Sequence, residues 1–145
     1  MVGETWEGWR LPITRIQQSP RAEEIDLVNR YVTDDEADRY FDQADIVALP
    51  YLRSSASGPL AMAIARGLPV VTTDVGGLTE VASSYPGAVL VPPGDPTALA
   101  AGLEAAVPLV GTHHESHLSW DETATAVQGI IEGLMQHRSG TGRSS

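Results

Sequence analysis

The chain of 145 residues contains no lysine and no cysteine, and each absence excludes a class of site. Without lysine there is no phosphate-binding loop of the type whose lysine contacts the phosphates of a nucleotide. Without cysteine there is no disulfide framework, no zinc–thiolate site and no cysteine nucleophile. A run of about 18 apolar residues, which a membrane-spanning helix needs, is also missing. We therefore expect no integral membrane segment.

Positive charge is scarce. Nine arginines face 19 acidic residues, so the formal net charge is −10. Such a surface repels polyanions, which argues against a nucleic-acid partner or a general anionic-membrane surface. An anionic small ligand would need local positive groups, and Arg53 and Arg30 are the candidates; for either, the alternative is an ordinary solvated arginine. No signal-peptide pattern opens the chain. The expected location is the cytoplasm, either free or peripheral to a membrane.

What the sequence does contain is an alternation of apolar runs and helix patterns. The runs at residues 25–29, 46–49, 70–73 and 88–91 predict strands. A helix of small residues that ends at Gly67 separates the second run from the third. Strand, loop, helix and strand in this order are typical of an open parallel sheet. We therefore predict an α/β fold, a Rossmann-like three-layer parallel sheet of roughly four or five strands with helices on both faces.

Two helix starts are also visible. Thr33 and Glu36 have the spacing of a capping box, in which each side chain satisfies an amide of the first helical turn. Asp95 followed by Pro96 predicts a second capped helix. Its buried stripe would consist of apolar residues at helical spacing: Leu99, Leu103 and Ala106.

A small polar loop follows the apolar run at residues 46–49. Free amides at a helix start, together with the helix dipole, favour an anion by up to about 2 kcal/mol, so residues 54–58 are a candidate phosphate cradle. The alternative is that Ser57 caps the helix, with Pro59 tolerated in the first turn. Gly76 and Gly77 either bring the backbone close to a ligand or form a simple turn.

Three histidines near the carboxyl end resemble a metal site at first sight. His114, Glu115 and His117 fall one residue short of the H-E-x-x-H spacing, so the two histidines do not share one helix face. We predict an exposed polar loop there and no metal site.

Taken in order, the motifs resemble the C-terminal, donor-binding half of a GT-B glycosyltransferase of the large retaining group called family 4. The matching segments are residues 34–36, 44–50, 63–71, 76–80 and 91–96. The resemblance implies a nucleotide-sugar-binding domain at residues 1–138, without the family's first strand and helix. Residues 139–145 would form a disordered tail.

The same resemblance implies the function. The chain would bind a nucleotide-diphosphate sugar, whose sugar is transferred to an acceptor held by a missing N-terminal domain. This chain alone is then expected to be inactive. No metal and no cofactor other than the sugar donor are implied.

Site residues are implied in four groups, and no catalytic residue is assigned. The diphosphate and donor group comprises Ser54, Ser55, Ala56, Ser57, Gly58, Pro59 and Leu60. The remaining groups are Tyr31, Val32 and Met62 for the nucleotide base and ribose, Gly76 and Gly77 for the donor sugar, and Arg53 and Arg30 as electrostatic candidates. For Tyr31 and Val32 the alternative is ordinary packing at a strand end.

One departure from the family concerns two positions. The family usually has two glutamates, which contact the donor sugar and the ribose, where this chain has Ser54 and Met62. A methionine is a poor acceptor for a ribose hydroxyl. The substitutions leave two alternatives open, a non-catalytic nucleotide-sugar-binding module and a nucleotide-sugar epimerase of the same fold.

Overall fold

The structure is a computed structural model that describes residues 1–3, 10–54 and 56–116. The chain divides into two compact units, Met1–Gln43 and Ala44–Ser145. The predicted tail at residues 139–145 lies outside the described residues, as do Ser55 and His117.

The described part of the first unit contains two α-helices, α1 (Leu11–Gln17) and α2 (Asp34–Asp42), and a short 3-10 helix (Ala22–Glu24). The capping box before α2 is confirmed, because Glu36 N donates to Thr33 Oγ1 at 3.3 Å and Thr33 N donates to the Glu36 carboxylate at 3.1 Å. The predicted strand at residues 25–29 is wrong. One parallel bridge joins Val28 to Val2. Among the described residues this bridge does not extend into a ladder.

The second unit is a parallel sheet with helical crossovers. Its strands are hydrogen-bonded in the order β1–β2–β3, with Val47 opposite Val70 and Val70 opposite Ala88. The elements in chain order are β1 (Val47–Leu49), α3 (Gly58–Ala65), β2 (Val70–Thr73), α4 (Gly76–Ser83), β3 (Ala88–Val91) and α5 (Pro96–Ala106).

Helices cover both faces of this sheet. The strand order β1–β2–β3 follows the chain across the sheet in one direction, and helical crossovers between parallel strands are right-handed. Helices α3 and α4 therefore lie on the same face. Helix α5 packs on the other face against Val71 and Val91. Val70 and Thr72 point away from α5 and are also fully buried. The predicted Rossmann-like α/β sheet is therefore confirmed, but in the part that the structure describes it has three strands and not the expected four or five.

Helix α5 lies close to the sheet because its contact residue is a glycine. A β-carbon at Gly102 would lie 2.6 Å from Val91 Cγ1 and 3.0 Å from Val71 Cγ1. The helix starts as predicted, since Asp95 Oδ1 accepts from Thr97 N at 2.9 Å and from Ala98 N at 3.0 Å. Ala106 is fully buried. Across the described residues, no helix has the length and apolar character to cross a membrane.

Replacing Gly102 with valine should destabilise the second unit. The added methyl groups would occupy space already filled by two β-branched side chains, which cannot move aside without disturbing the sheet. Overpacking of this kind costs about 1–3 kcal/mol. The matched control is Ala101→Val, which introduces the same side chain at an exposed position of the same helix. Equal free energies of unfolding for the two variants, from urea titration, would contradict this packing.

Candidate functional site

Two loops meet at the carboxyl-end edge of the sheet. Strands β1 and β2 are parallel, so the loops that follow them leave from the same edge. Between them lies an open pocket of about 610 Å³. It is lined by residues of both loops and of the start of α4: Leu52, Arg53, Ser54, Val75, Gly76 and Gly77. Ligands of open parallel sheets bind at this edge.

The pocket has two walls, the loop at residues 52–54 and the segment at residues 75–77 that begins α4, and close backbone packing holds them together. Gly76 has a φ of +49°, and a β-carbon there would lie 2.3 Å from the Ser54 carbonyl oxygen. A side chain at this position would therefore meet rigid backbone in a conformation that L-residues rarely adopt. Glycine at position 76 is what allows the loop carrying Arg53 and Ser54 to approach α4.

The pocket lining contains one arginine and the backbone amides at the start of α4. Helix α4 begins without a side-chain cap. Among the described residues, neither Gly76 N nor Gly77 N has a hydrogen-bond acceptor. Arg53 is exposed and forms no ion pair within the described part of the chain. None of the described lining residues is acidic, and the nearby Asp74 carboxylate accepts from Thr79 Oγ1. Open amides at a helix start beside a guanidinium favour a bound anion.

The first turn of α3 is more fully occupied. Ser57 Oγ accepts from Leu60 N at 3.1 Å, and Ser57 O accepts from Ala61 N at 3.2 Å. The capping alternative for Ser57 is therefore confirmed. Because Pro59 has no N–H, Gly58 N is the one amide of this turn without an acceptor among the described residues.

The predicted diphosphate residues are accordingly divided. Ser54 lines the pocket, and its hydroxyl donates to Ala56 O at 2.7 Å. Leu60 is buried, whereas Ala56, Gly58 and Pro59 are exposed around the start of α3. The structure thus brings Ser54 together with Arg53, Gly76 and Gly77, which were predicted from separate segments, and leaves the others outside the lining.

The predicted nucleotide residues lie in different units. Tyr31 and Val32 belong to the first unit, where the Tyr31 side chain is 74% exposed and Val32 is half-buried. Met62 lies on α3 in the second unit and is also half-buried.

Arg30 is engaged with other residues of the first unit. Its guanidinium makes two hydrogen bonds to the Glu36 carboxylate, at 2.7 and 2.9 Å, and a third to Tyr31 O at 3.0 Å. The hydrogen bonds from Arg30, followed by the one from Thr33 N, lower the pKa of Glu36 to about 2. Unlike Arg53, Arg30 therefore already has a carboxylate partner.

The histidine segment is a loop in which His113 and Glu115 are exposed, as predicted, but His114 has a packing role. His114 is half-buried, its ring lies edge-on to Tyr85, and its Nε2 donates to Leu109 O at 3.0 Å. Tyr85 donates to Leu68 O at 2.9 Å, and burial raises the pKa of Tyr85 to about 12. In the described ranges, no three His, Cys, Asp or Glu side chains are grouped as a metal site would require.

Sequence reasoning missed Thr73, whose side chain joins the end of β2 to the loop after β1, and the contact of Asp74 with Thr79. Thr73 Oγ1 donates to Tyr51 O at 2.6 Å, and Thr79 Oγ1 donates to Asp74 Oδ1 at 2.6 Å. One signal was available. Two threonines complete a strand that is otherwise apolar, and a buried hydroxyl requires a hydrogen-bond partner.

A parallel sheet with helices on both faces and a pocket at the ends of its strands defines the class of open, Rossmann-like α/β domains. The family model for group 1 glycosyl transferases matches residues 5–107. The chain therefore belongs to the group 1 glycosyltransferases, enzymes of glycosyl transfer, and its fold is a Rossmann-like half of the GT-B type. A comparison with curated proteins gave no match.

The Arg30–Glu36 pair should give the first unit a measurable acid sensitivity. A carboxyl whose pKa is lower in the folded state stabilises the fold above its unfolded pKa, and the contribution is lost as pH falls towards the folded value. For Glu36 that window runs from the ordinary value of 4.5 down to about 2. NMR titration of the Glu36 carboxyl should give a midpoint near 2, rising towards 4.5 in Arg30→Gln.

Arg21→Gln is the control for this titration. It removes the other described ion pair of the first unit, between Arg21 and Glu24, and should leave the Glu36 midpoint unchanged. An ordinary midpoint for Glu36 in the unmodified chain would show that the ion pair does not persist in solution.

Proposed function

We propose that this chain supplies the donor-binding, C-terminal part of a retaining GT-B glycosyltransferase of the family 4 type. It would bind a nucleotide-diphosphate sugar, and a separate domain would hold the acceptor. The observation that carries the proposal is the pocket where Arg53 and Ser54 face the uncapped start of α4. That arrangement suits an anionic group at the edge of the sheet where parallel α/β domains bind their ligands.

In the proposed mechanism the protein stabilises a leaving diphosphate. As the bond between sugar and diphosphate breaks, negative charge grows on the phosphate oxygens. Fixed amide dipoles and a guanidinium stabilise that charge without having to reorient during the reaction. Gly58 N on α3 and the amides of Gly76 and Gly77 on α4 are the donors that the described residues leave open. Arg53 adds a full positive charge beside them.

The remaining contacts in this proposal come from the family resemblance. Tyr31 and Val32 would contact the base, and Met62 would lie at the ribose. Metal independence and a cytoplasmic location have the same origin. Inactivity of this chain on its own also belongs to the proposal, because transfer requires donor and acceptor to be held in register.

A second candidate is a binding module that holds the nucleotide-sugar without transferring it. The observation in its favour is the absence of a carboxylate from the pocket lining, with Ser54 where the family usually has a glutamate. The gene sequence upstream of Met1 separates the two candidates. An in-frame acceptor-binding domain supports the transferase, and an adjacent promoter and start site support the module.

Arg53→Gln should weaken nucleoside diphosphate binding. Calorimetric titration with UDP, GDP and ADP should show a Kd about three- to tenfold higher for whichever nucleotide binds best, which corresponds to about 1 kcal/mol. The difference should shrink at high ionic strength, because exposed charges are screened by salt.

Arg21→Gln is the matched control, since it removes the same charge from an arginine that does not line the pocket. Its Kd should equal that of the unmodified chain. Equal affinities for Arg53→Gln and Arg21→Gln, or no binding of any of the three nucleotides, would contradict the proposed function.

A further inference from the structure

Thr73 is a buried polar residue at the point where the two walls of the pocket originate. Its side chain is 2% exposed, and its hydroxyl donates to the carbonyl of Tyr51 at 2.6 Å. Tyr51 lies two positions before Arg53. The hydroxyl therefore holds the backbone of the loop that carries the cation of the pocket.

The same residue also holds the second wall. Val75 N donates to the carbonyl of Thr73 at 2.9 Å, and Asp74 N donates to Val91 O at 2.9 Å. These bonds turn the chain directly into α4, whose first residue is Gly76. Thr73 thus contacts one wall through its side chain and the other through its backbone.

Further contacts restrict the backbone conformation of both walls. Tyr51 N donates to Leu49 O at 2.9 Å, which folds the loop back immediately after β1. The Ser54 carbonyl is in close contact with Gly76. The distance between Arg53 and the open amides of α4 therefore depends on a short chain of bonds with Thr73 at its centre.

We propose that Thr73 is a positioning residue for the donor site. By holding the Tyr51 carbonyl, it keeps Arg53 and Ser54 in the geometry in which they act on the same anion as Gly76 and Gly77. This inference rests on the proposed function, because it assigns Thr73 a role in the same pocket. Loss of the hydroxyl would free the loop, and binding would then have to order it again.

The neighbouring threonine offers a matched control for loss of a buried hydroxyl. Thr72 is fully buried, and its hydroxyl donates to Leu49 O at 3.3 Å. Leu49 is the last residue of β1 and does not line the pocket. Thr72→Val and Thr73→Val therefore remove the same group from adjacent positions of one strand. If the hydroxyls served stability alone, the two variants would bind nucleotide equally well.

The experiment compares four forms of the full chain by calorimetric titration with UDP, GDP and ADP, and by thermal unfolding. Thr73→Val should raise the Kd of the best nucleotide by about five- to tenfold, the effect of losing one positioned hydrogen bond. Thr72→Val should lower the melting temperature by about as much as Thr73→Val does, but its Kd should stay within about twofold of the unmodified value. Thr73→Ser should also keep its Kd within about twofold, because it retains the hydroxyl.

A double variant tests whether Thr73 acts through Arg53. If it does, Arg53→Gln combined with Thr73→Val should bind about as weakly as Arg53→Gln alone, so that the two effects do not add. Amide hydrogen exchange without ligand should be faster for Tyr51, whose N–H donates to Leu49 O, in Thr73→Val than in the unmodified chain.

The outcomes separate this inference from the proposed function. No nucleotide binding by the unmodified chain overturns both. Binding by the unmodified chain with an equal Kd for Thr73→Val overturns the positioning role alone. So does full additivity in the double variant. If Thr73→Val does not fold, Thr73→Ser still decides, because a tenfold loss of affinity in that variant would contradict a role that depends on the hydroxyl.

Discussion

The second unit depends on burial of its central strand. All four residues of β2 are buried, and the two strands that pair with it run parallel to it on either side. Because both neighbouring strands run parallel to β2, the loops that follow all three strands leave from the same edge of the sheet. The pocket lies at that edge. Thr73, the last residue of β2, is still buried and links the core to the loops.

Charge poses a second constraint. The chain carries a formal charge of −10, so an anionic donor approaches an unfavourable overall field. A pocket that exposes one guanidinium and open helix amides, without a carboxylate in its lining, offsets that field locally. The pairing of Arg30 with Glu36 shows the more usual arrangement, in which an arginine is neutralised by a nearby acid.

Sequence patterns predicted the fold where a strong local signal agreed with burial. The strands at residues 70–73 and 88–91 have the predicted bounds, because each is a run of apolar or β-branched residues that starts directly after a proline or a glycine. The run at residues 25–29 is interrupted by Asp26 and forms a single bridge in the described part of the chain. A strand requires a neighbour, and a local pattern contains no information about one.

The site was predicted in parts that only the fold could join. Arg53, Ser54, Gly76 and Gly77 were each identified from local composition, but their convergence follows from parallel pairing of β1 with β2. The partner of Arg30 and the hydrogen bond from Thr73 to Tyr51 were missed for the same reason. The contact of Arg30 with Glu36 depends on side-chain directions that a local pattern does not specify. The contact of Thr73 with Tyr51 joins residues that are distant in sequence.

The central claim is that a nucleoside diphosphate binds between the loop at residues 52–54 and the start of α4. Isotope-edited NMR of the full chain, titrated with UDP, GDP and ADP, tests it most directly. We expect the largest amide shifts at Arg53, Ser54, Gly58, Gly76 and Gly77, with the best-binding nucleotide producing them at the lowest concentration. Shifts confined to the turn at Gly94 and Asp95, which precedes α5, would contradict the account.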